Sequence, residues 1–276
     1  MASERLGAFA IGHPFPSTLV SLATAGLVLL AGGDAAHALL LGLAMAGFQV
    51  SIGAVNDLAD HAVDAVAKPW KPLPAGRLSS AAARGIALAG VLLGGTLSAL
   101  AGFVPLLVGL AGWSLGGAYD LWLKRRGWGW LAFSLALPLV PVFAWSGAGA
   151  GLPPRLGVLI PLGALAGLQL SLANELADLD ADQAADGRGL AVRLGRRRAA
   201  TTMLAAAFGV SAVAWLTLPG TSMTTLTLLA GATVLNISGA ATSAVGAARG
   251  RWLGWGLQAC AVALLALAWI AAARAP

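Results

Sequence analysis

The chain has 276 residues, is 58% hydrophobic and only 10% charged, and carries a formal net charge of +6. Soluble domains run near one-quarter charged, so the polar surface needed to face water on all sides is missing. The lone cysteine, Cys260, excludes an intramolecular disulfide framework and a cysteine-based metal site, and its place in an apolar run reads as a packed thiol.

The opening stretch, Met1 to Gly12, holds Glu4 and Arg5 and lacks a basic region leading into a small-residue cleavage site, so no cleaved signal peptide is expected. His13-Pro14-Phe15-Pro16-Ser17 follows, read as an extended lead-in with the first helix starting after Ser17. For His13 a structural role is the plainer reading and a contact with a ligand the sharper one. Crossing a hydrocarbon core of about 30 Å takes about 20 mostly apolar residues in a helix. Nine segments meet that requirement: 16–32, 36–56, 81–101, 104–121, 128–147, 156–176, 200–218, 222–246 and 252–272. The expected fold is therefore all-α, a polytopic membrane protein of about nine transmembrane helices forming one domain over residues 1–276.

With the N-terminus on the cytoplasmic side, that side collects Arg5, Lys68, Lys71, Arg77, Arg84, Lys124, Arg125 and Arg126. It also collects Arg188, Arg193, Arg196, Arg197, Arg198, Arg249 and Arg251, while only Arg155 and Arg274 fall opposite. This is the asymmetry of the positive-inside rule, and it accounts for the net charge without a nucleic-acid partner. Trp122, Trp128, Trp130, Trp252 and Trp255 flank the same side, where interfacial anchors belong.

The acids follow no topological rule. After the second span comes Asn56-Asp57-Leu58-Ala59-Asp60-His61-Ala62-Val63-Asp64; after the sixth comes Asn174-Glu175-Leu176-Ala177-Asp178-Leu179-Asp180-Ala181-Asp182. The pattern Asn-acid-Leu-Ala-Asp-x-x-x-Asp thus occurs twice, as a duplicated four-helix unit related by a pseudo-twofold axis would produce. Positions i, i+3 and i+7 share one helix face. Asp57, Asp60 and Asp64 make one acidic stripe; Glu175, Asp178 and Asp182 make the other, which Asp186 extends, and Asp180 points away. Two solvated acidic loops are the plain alternative. Two matched clusters at helix ends, in a chain so poor in charge, favour stripes opposed across a cavity with divalent cations between them. Mg2+ suits such a site, because it takes one or two carboxylates together with phosphate oxygens.

These residues resemble the UbiA superfamily of intramembrane prenyltransferases. The first motif continues as Lys68-Pro69-Trp70-Lys71-Pro72-Leu73-Pro74-Ala75-Gly76-Arg77, similar to the family's basic-Pro-Leu-Pro-x-Gly segment. The second continues as Asp186-Gly187-Arg188-Gly189-Leu190-Ala191-Val192-Arg193-Leu194-Gly195, and Tyr119 and Lys124 match the family's Tyr and Lys after the fourth span. The resemblance implies Mg2+-dependent transfer of an isoprenyl or polyprenyl group from its diphosphate, through an allylic carbocation, to a small aromatic, lipid or other nucleophilic acceptor. It implies metal ligands at Asp57, Asp60, Asp64, Glu175, Asp178 and Asp182. Lys68, Lys71, Lys124, Arg188 and Arg193 would neutralise the diphosphate. Asn56 and Asn174 would orient carboxylates or contact phosphate, Tyr119 would hydrogen-bond nearby, and the prenyl tail would lie in an apolar channel open to lipid. Three residues depart from the pattern: Glu175 for the commoner Asp, Asp120 for Ser or Thr, and Lys71 for Arg. The rivals are a membrane terpene cyclase with the same site chemistry and, from another class, a cation-coupled transporter or lipid-binding protein.

Among the remaining residues, His61 reads as a surface group off its stripe. Gln169 reads as a cavity-lining residue, and Asn236 and Gln258 as buried interhelical hydrogen bonds. Gly94, Gly95, Gly112 and Gly116 read as sites of close helix packing.

Overall fold

The computed structural model describes residue 7 and residues 10–153, 155–184, 187–218 and 222–274. The described residues form helices and no strands. In chain order the α-helices are α1 (Pro14–Leu30), α2 (Ala35–Ala67), α3 (Ser80–Ala101), α4 (Phe103–Ala118), α5 (Gly129–Ala136) and α6 (Leu139–Gly147). They continue with α7 (Leu156–Ala184), α8 (Leu190–Leu194), α9 (Arg196–Leu216), α10 (Met223–Val245) and α11 (Ala248–Arg274). A π-helical turn, Tyr119–Leu123, and a 3-10 turn, Lys124–Arg126, follow α4. Among the described residues eight stretches are long and apolar enough to cross a membrane, and α1 is a ninth, shorter apolar helix. Each of the nine expected spans therefore falls on a helix, the fifth being α5 and α6 broken at Leu137 and Pro138.

The helix starts follow from local chemistry. Asp34 caps α2 by accepting the His37 amide at 2.8 Å, and Ser79 caps α3 by accepting the Ala82 amide at 3.1 Å. Only Gly102 separates α3 from α4, with φ at 138°, a backbone conformation that glycine tolerates. The expectation for the first helix is corrected: α1 begins at Pro14, not after Ser17, because proline at the first helical position gives up an amide that has no partner there anyway. His13 is not extended but left-handed, with φ 47° and ψ 67°.

The chain divides into two compact units. The first comprises residues 1–122 and 139–151, the second residues 123–138 and 152–276. In the first unit α2 packs on α3 through glycine, and a β-carbon at Gly47 would stand 2.8 Å from the Gly90 carbonyl oxygen and the Gly94 nitrogen. Gly94 and Gly116 meet close neighbours, Phe48 and Ile52, as expected. Gly95 and Gly112 do not: a β-carbon at Gly95 comes no nearer than 4.0 Å to a neighbour, and one at Gly112 finds nothing within 4 Å.

In the second unit the core of α7, α9, α10 and α11 contains amides. The Gln169 amide nitrogen donates to Asn236 Oδ1 at 2.6 Å and to Gln258 Oε1 at 2.9 Å. Asn236 donates in turn to the Ala207 carbonyl and to Ser211, and Gln258 donates to Ser243. All three amides are fully buried. Asn236 and Gln258 thus make the expected interhelical bonds, while Gln169 belongs to the same network instead of lining an open cavity.

The length of two helices sets where the acids lie. At 1.5 Å per residue, the 33-residue α2 is about 50 Å long and the 29-residue α7 about 43 Å, both beyond the roughly 30 Å of hydrocarbon. Asp57 comes 57 − 35 = 22 residues after the start of α2, and Glu175 comes 175 − 156 = 19 residues after the start of α7. Each motif therefore begins near the far end of a roughly 30 Å span and runs on into the part of its helix that continues past it.

Candidate active site

In the first unit the stripe residues Asp57, Asp60 and Asp64 lie on continuous helix, so the motif is not a solvated loop. Asp57 and Asp64 are buried. The segment after α2 turns back: Arg77 closes it by donating to the Trp70 carbonyl, and Pro72 O accepts the amides of Arg77 at 2.9 Å and Leu78 at 3.2 Å. That fold carries Lys71 onto the stripe. Its Nζ stands 2.8 Å from Asp57 Oδ1 and 2.7 Å from Asp64 Oδ2. Burial works to lower the Lys71 pKa, but the two carboxylates outweigh it and hold the ammonium above its ordinary range. Lys68 ends α2 at the start of the same segment.

Two further groups reach this stripe. His13 Nε2 lies 3.1 Å from Asp57 Oδ1. Asn56 Nδ2 donates to Asp120 Oδ1 at 2.7 Å, which makes the unusual acid at 120 a buried partner of the motif's first residue. Asp120 sits in the π-helical turn that Tyr119 opens, a wound-out geometry often found beside functional sites. Neither contact was legible in sequence, since 44 and 64 residues separate the partners.

In the second unit α7 carries Asn174, Glu175, Asp178 and Asp182; Asp186 lies outside the described residues. Here too the following loop folds back. A β-carbon at Gly187 would stand 2.8 Å from the Asp182 carbonyl oxygen, and one at Gly189 would stand 2.8 Å from Glu175 Oε2. The two glycines of the Asp-Gly-Arg-Gly run let the backbone lie directly on the helix that bears the acids. Glu175, which is buried, accepts the Ala191 amide on Oε2 at 2.7 Å and so holds the start of α8. Gly127, at φ 76°, is pressed against the Arg188 carbonyl and the Arg193 side chain. The turn that begins with Lys124 is thereby packed on the loop that carries Arg188 and on Arg193 of α8, both exposed.

Asp180 turns away from this stripe, as the spacing predicts. It accepts Arg196 on Oδ1 and Arg251 on Oδ2, each at 2.5 Å, and so ties α7 to α9 and α11. The Arg251 side chain is only 3% exposed whereas that of Asp180 is 59% exposed. Asp180→Ala should therefore lower stability by about 1–3 kcal/mol through the stranded guanidinium while leaving transfer by the folded protein intact. Thermal melting beside an activity assay checks this, and loss of transfer without a lower melting temperature would contradict it.

The donor set fits a hard divalent cation: it is all oxygen, and in the first unit it already gathers a cationic group, the Lys71 ammonium, between two carboxylates. Among the described residues no group of three or more His, Cys, Asp or Glu side chains converges closely enough to hold a metal ion.

Known proteins give this arrangement a context. The model of the UbiA prenyltransferase family matches residues 17–244. Digeranylgeranylglyceryl phosphate synthase of Methanoregula boonei is 32% identical over 215 residues, 75% of this chain and 76% of that one. The protein of the same name from Korarchaeum cryptofilum is 34% identical over 147 residues, so that match spans about half of each chain, 52% of both. Among solved structures, a UbiA homolog from Archaeoglobus fulgidus bound to GPP and Mg2+ has the same fold, with a TM-score of 0.70 at 15% identity over 96% of this chain and 99% of that one. With its family match over most of its length, the long apolar helices of its described residues and its two acidic motifs, this chain belongs to the UbiA prenyltransferase family and is a multi-pass membrane protein.

Proposed function

We propose that the protein transfers a prenyl group from its diphosphate to a nucleophilic acceptor, with Mg2+ held by Asp57, Asp60, Asp64, Asp178 and Asp182 and with Glu175 contributing to the second stripe. One observation carries the reading: in both units a basic loop is folded onto an acidic helix, Lys71 against Asp57 and Asp64, and the Arg188 loop against Glu175 and Asp182. Cationic and anionic groups packed in this way suit a ligand that is itself a metal-bound polyanion. The Archaeoglobus fulgidus homolog, with its GPP and Mg2+, supports the choice of donor and cation.

Bound Mg2+ would neutralise diphosphate charge as the allylic C–O bond breaks. Lys68, Lys71, Lys124, Arg188 and Arg193 stabilise the departing diphosphate, fixed in place before the charge grows. Asn56, tied to Asp120, and Asn174 orient carboxylates or contact phosphate, and Tyr119 hydrogen-bonds near the diphosphate. The apolar helices keep water from the allylic cation, which the acceptor then captures, losing a proton. The names of the curated relatives favour a lipid alcohol bearing phosphate over a small aromatic. The whole chain acts as one prenyltransferase domain, with its N-terminus and active site on the cytoplasmic side, where the basic residues gather.

Purified protein in nanodiscs, given radiolabelled prenyl diphosphate with either a prenylglyceryl phosphate or a phenolic acceptor, tests this. Label should move into the glyceryl phosphate lipid. Movement into the phenol alone would change the acceptor class, and movement into neither, nor into a membrane extract, would reject transfer.

A further inference from the structure

His13 is held by more features than a loop residue at the start of a helix requires. It is one of two non-glycine residues with positive φ among the described residues, at 47°. Histidine enters the left-handed region more readily than most side chains, but a residue stays there only where its surroundings fix it. Three features do so. The His13 amide donates to the Ala10 carbonyl at 3.2 Å, and the His13 carbonyl accepts the Ser17 amide at 3.2 Å. Ile11, fully buried, sits in a core with Ala54, Leu73, Leu78 and Ala83. Gly53 lets the segment lie on α2 itself, since a β-carbon there would stand 2.8 Å from the Ile11 carbonyl oxygen and 3.1 Å from His13 Cδ2.

Gly53 is one helical turn before Asp57, so this contact delivers the imidazole to that carboxylate. His13 Nε2 and Lys71 Nζ both bind Oδ1, at 3.1 and 2.8 Å. The two bonds fix the rotation of the carboxyl group through Oδ1, and among the described residues Oδ2 carries no side-chain hydrogen bond. Ligating carboxylates are commonly oriented by such an outer hydrogen bond, and losing it typically weakens metal affinity by about 10–100-fold.

We infer that His13 is a positioning residue: by holding Asp57 Oδ1 together with Lys71, it presents Asp57 Oδ2 to the metal of the first stripe. The inference rests on the proposed role of Asp57 as a metal ligand and adds a residue that acts through that carboxylate.

The test is Mn2+ binding to the full chain in the presence of inorganic diphosphate, followed by electron paramagnetic resonance, with thermal melting alongside. His13→Asn keeps a side chain tolerant of the left-handed backbone but is too short to reach Asp57; it should bind Mn2+ roughly tenfold more weakly with melting unchanged. His13→Gln places an amide nitrogen near the position of Nε2 and should recover affinity to within about threefold, even where melting falls. Unchanged affinity in His13→Asn, or affinity that follows melting across the variants, overturns the inference. Asp57→Ala separates the two levels. If it binds Mn2+ like the native chain, the ligand assignment itself fails; if it loses Mn2+ while His13→Asn does not, only the role of His13 fails.

Discussion

Alanine at Asp60, Asp64, Asp178 or Asp182 should lower prenyl transfer by at least about 10²–10³-fold, the scale seen when one fixed electrostatic contact to a developing charge is removed. In the proposed mechanism each stripe acts as a set. A carboxylate removed from i, i+3 or i+7 leaves the remaining acids with too little charge to hold a divalent ion against the basic loop beside them. The first stripe adds a structural consequence, because Lys71 bridges Asp57 and Asp64. Asp64→Ala frees half of that bridge, so it should also loosen the 68–78 loop, whereas Asp178→Ala should damage catalysis alone. Single-turnover transfer measured with limited proteolysis of the loop would show the difference. Near-native transfer by Asp60→Ala or Asp178→Ala would remove the stripes from the mechanism.

Chelation should be equally severe for activity and nearly silent for the fold. EDTA is expected to bring transfer to background and Mg2+ to restore it, because carboxylates can hold a diphosphate only through a cation that both of them bind. Melting in EDTA, by contrast, should stay within a few degrees of that in Mg2+. In the first unit Lys71 already compensates Asp57 and Asp64, and in the second the Ala191 amide already serves Glu175. A chain that unfolds on chelation would show the cation to be structural. Full transfer in EDTA would refute a metal-assisted reaction.

The sequence made the helices, the two motifs and the acids that share a helix face legible, because those depend on local spacing. Asp180 is the clearest case: an i, i+3, i+7 count excluded it from the stripe, and its carboxylate indeed turns to Arg196 and Arg251. What spacing could not supply was the partner. Arg251 read as one more basic residue on a cytoplasmic flank, although 71 residues away it is the buried mate of Asp180. The contacts of Asn56 with Asp120 and of His13 with Asp57 were hidden for the same reason. In a soluble protein an apolar stripe reveals which way a helix is turned. Here Leu22, Leu92 and Val234 face outward at 60–66% exposure while Leu172, Leu176 and Leu229 are fully buried, and both sets are equally apolar. Hydropathy therefore finds such helices without fixing their rotation, and long-range polar pairs depend on rotation.

The buried amides of Gln169, Asn236 and Gln258 bear on how the second unit is assembled. Helices entering a bilayer one after another meet partners that are all greasy, and oil gains little by touching oil. A helix that docks one turn out of step keeps most of its van der Waals contacts and so is poorly rejected by shape alone. Here such a slip of 5.4 Å would part three interlocking carboxamides and leave them facing hydrocarbon. The triad works as the teeth of a key: it makes the wrong alignments costly, and so gives helices of nearly uniform surface a single address.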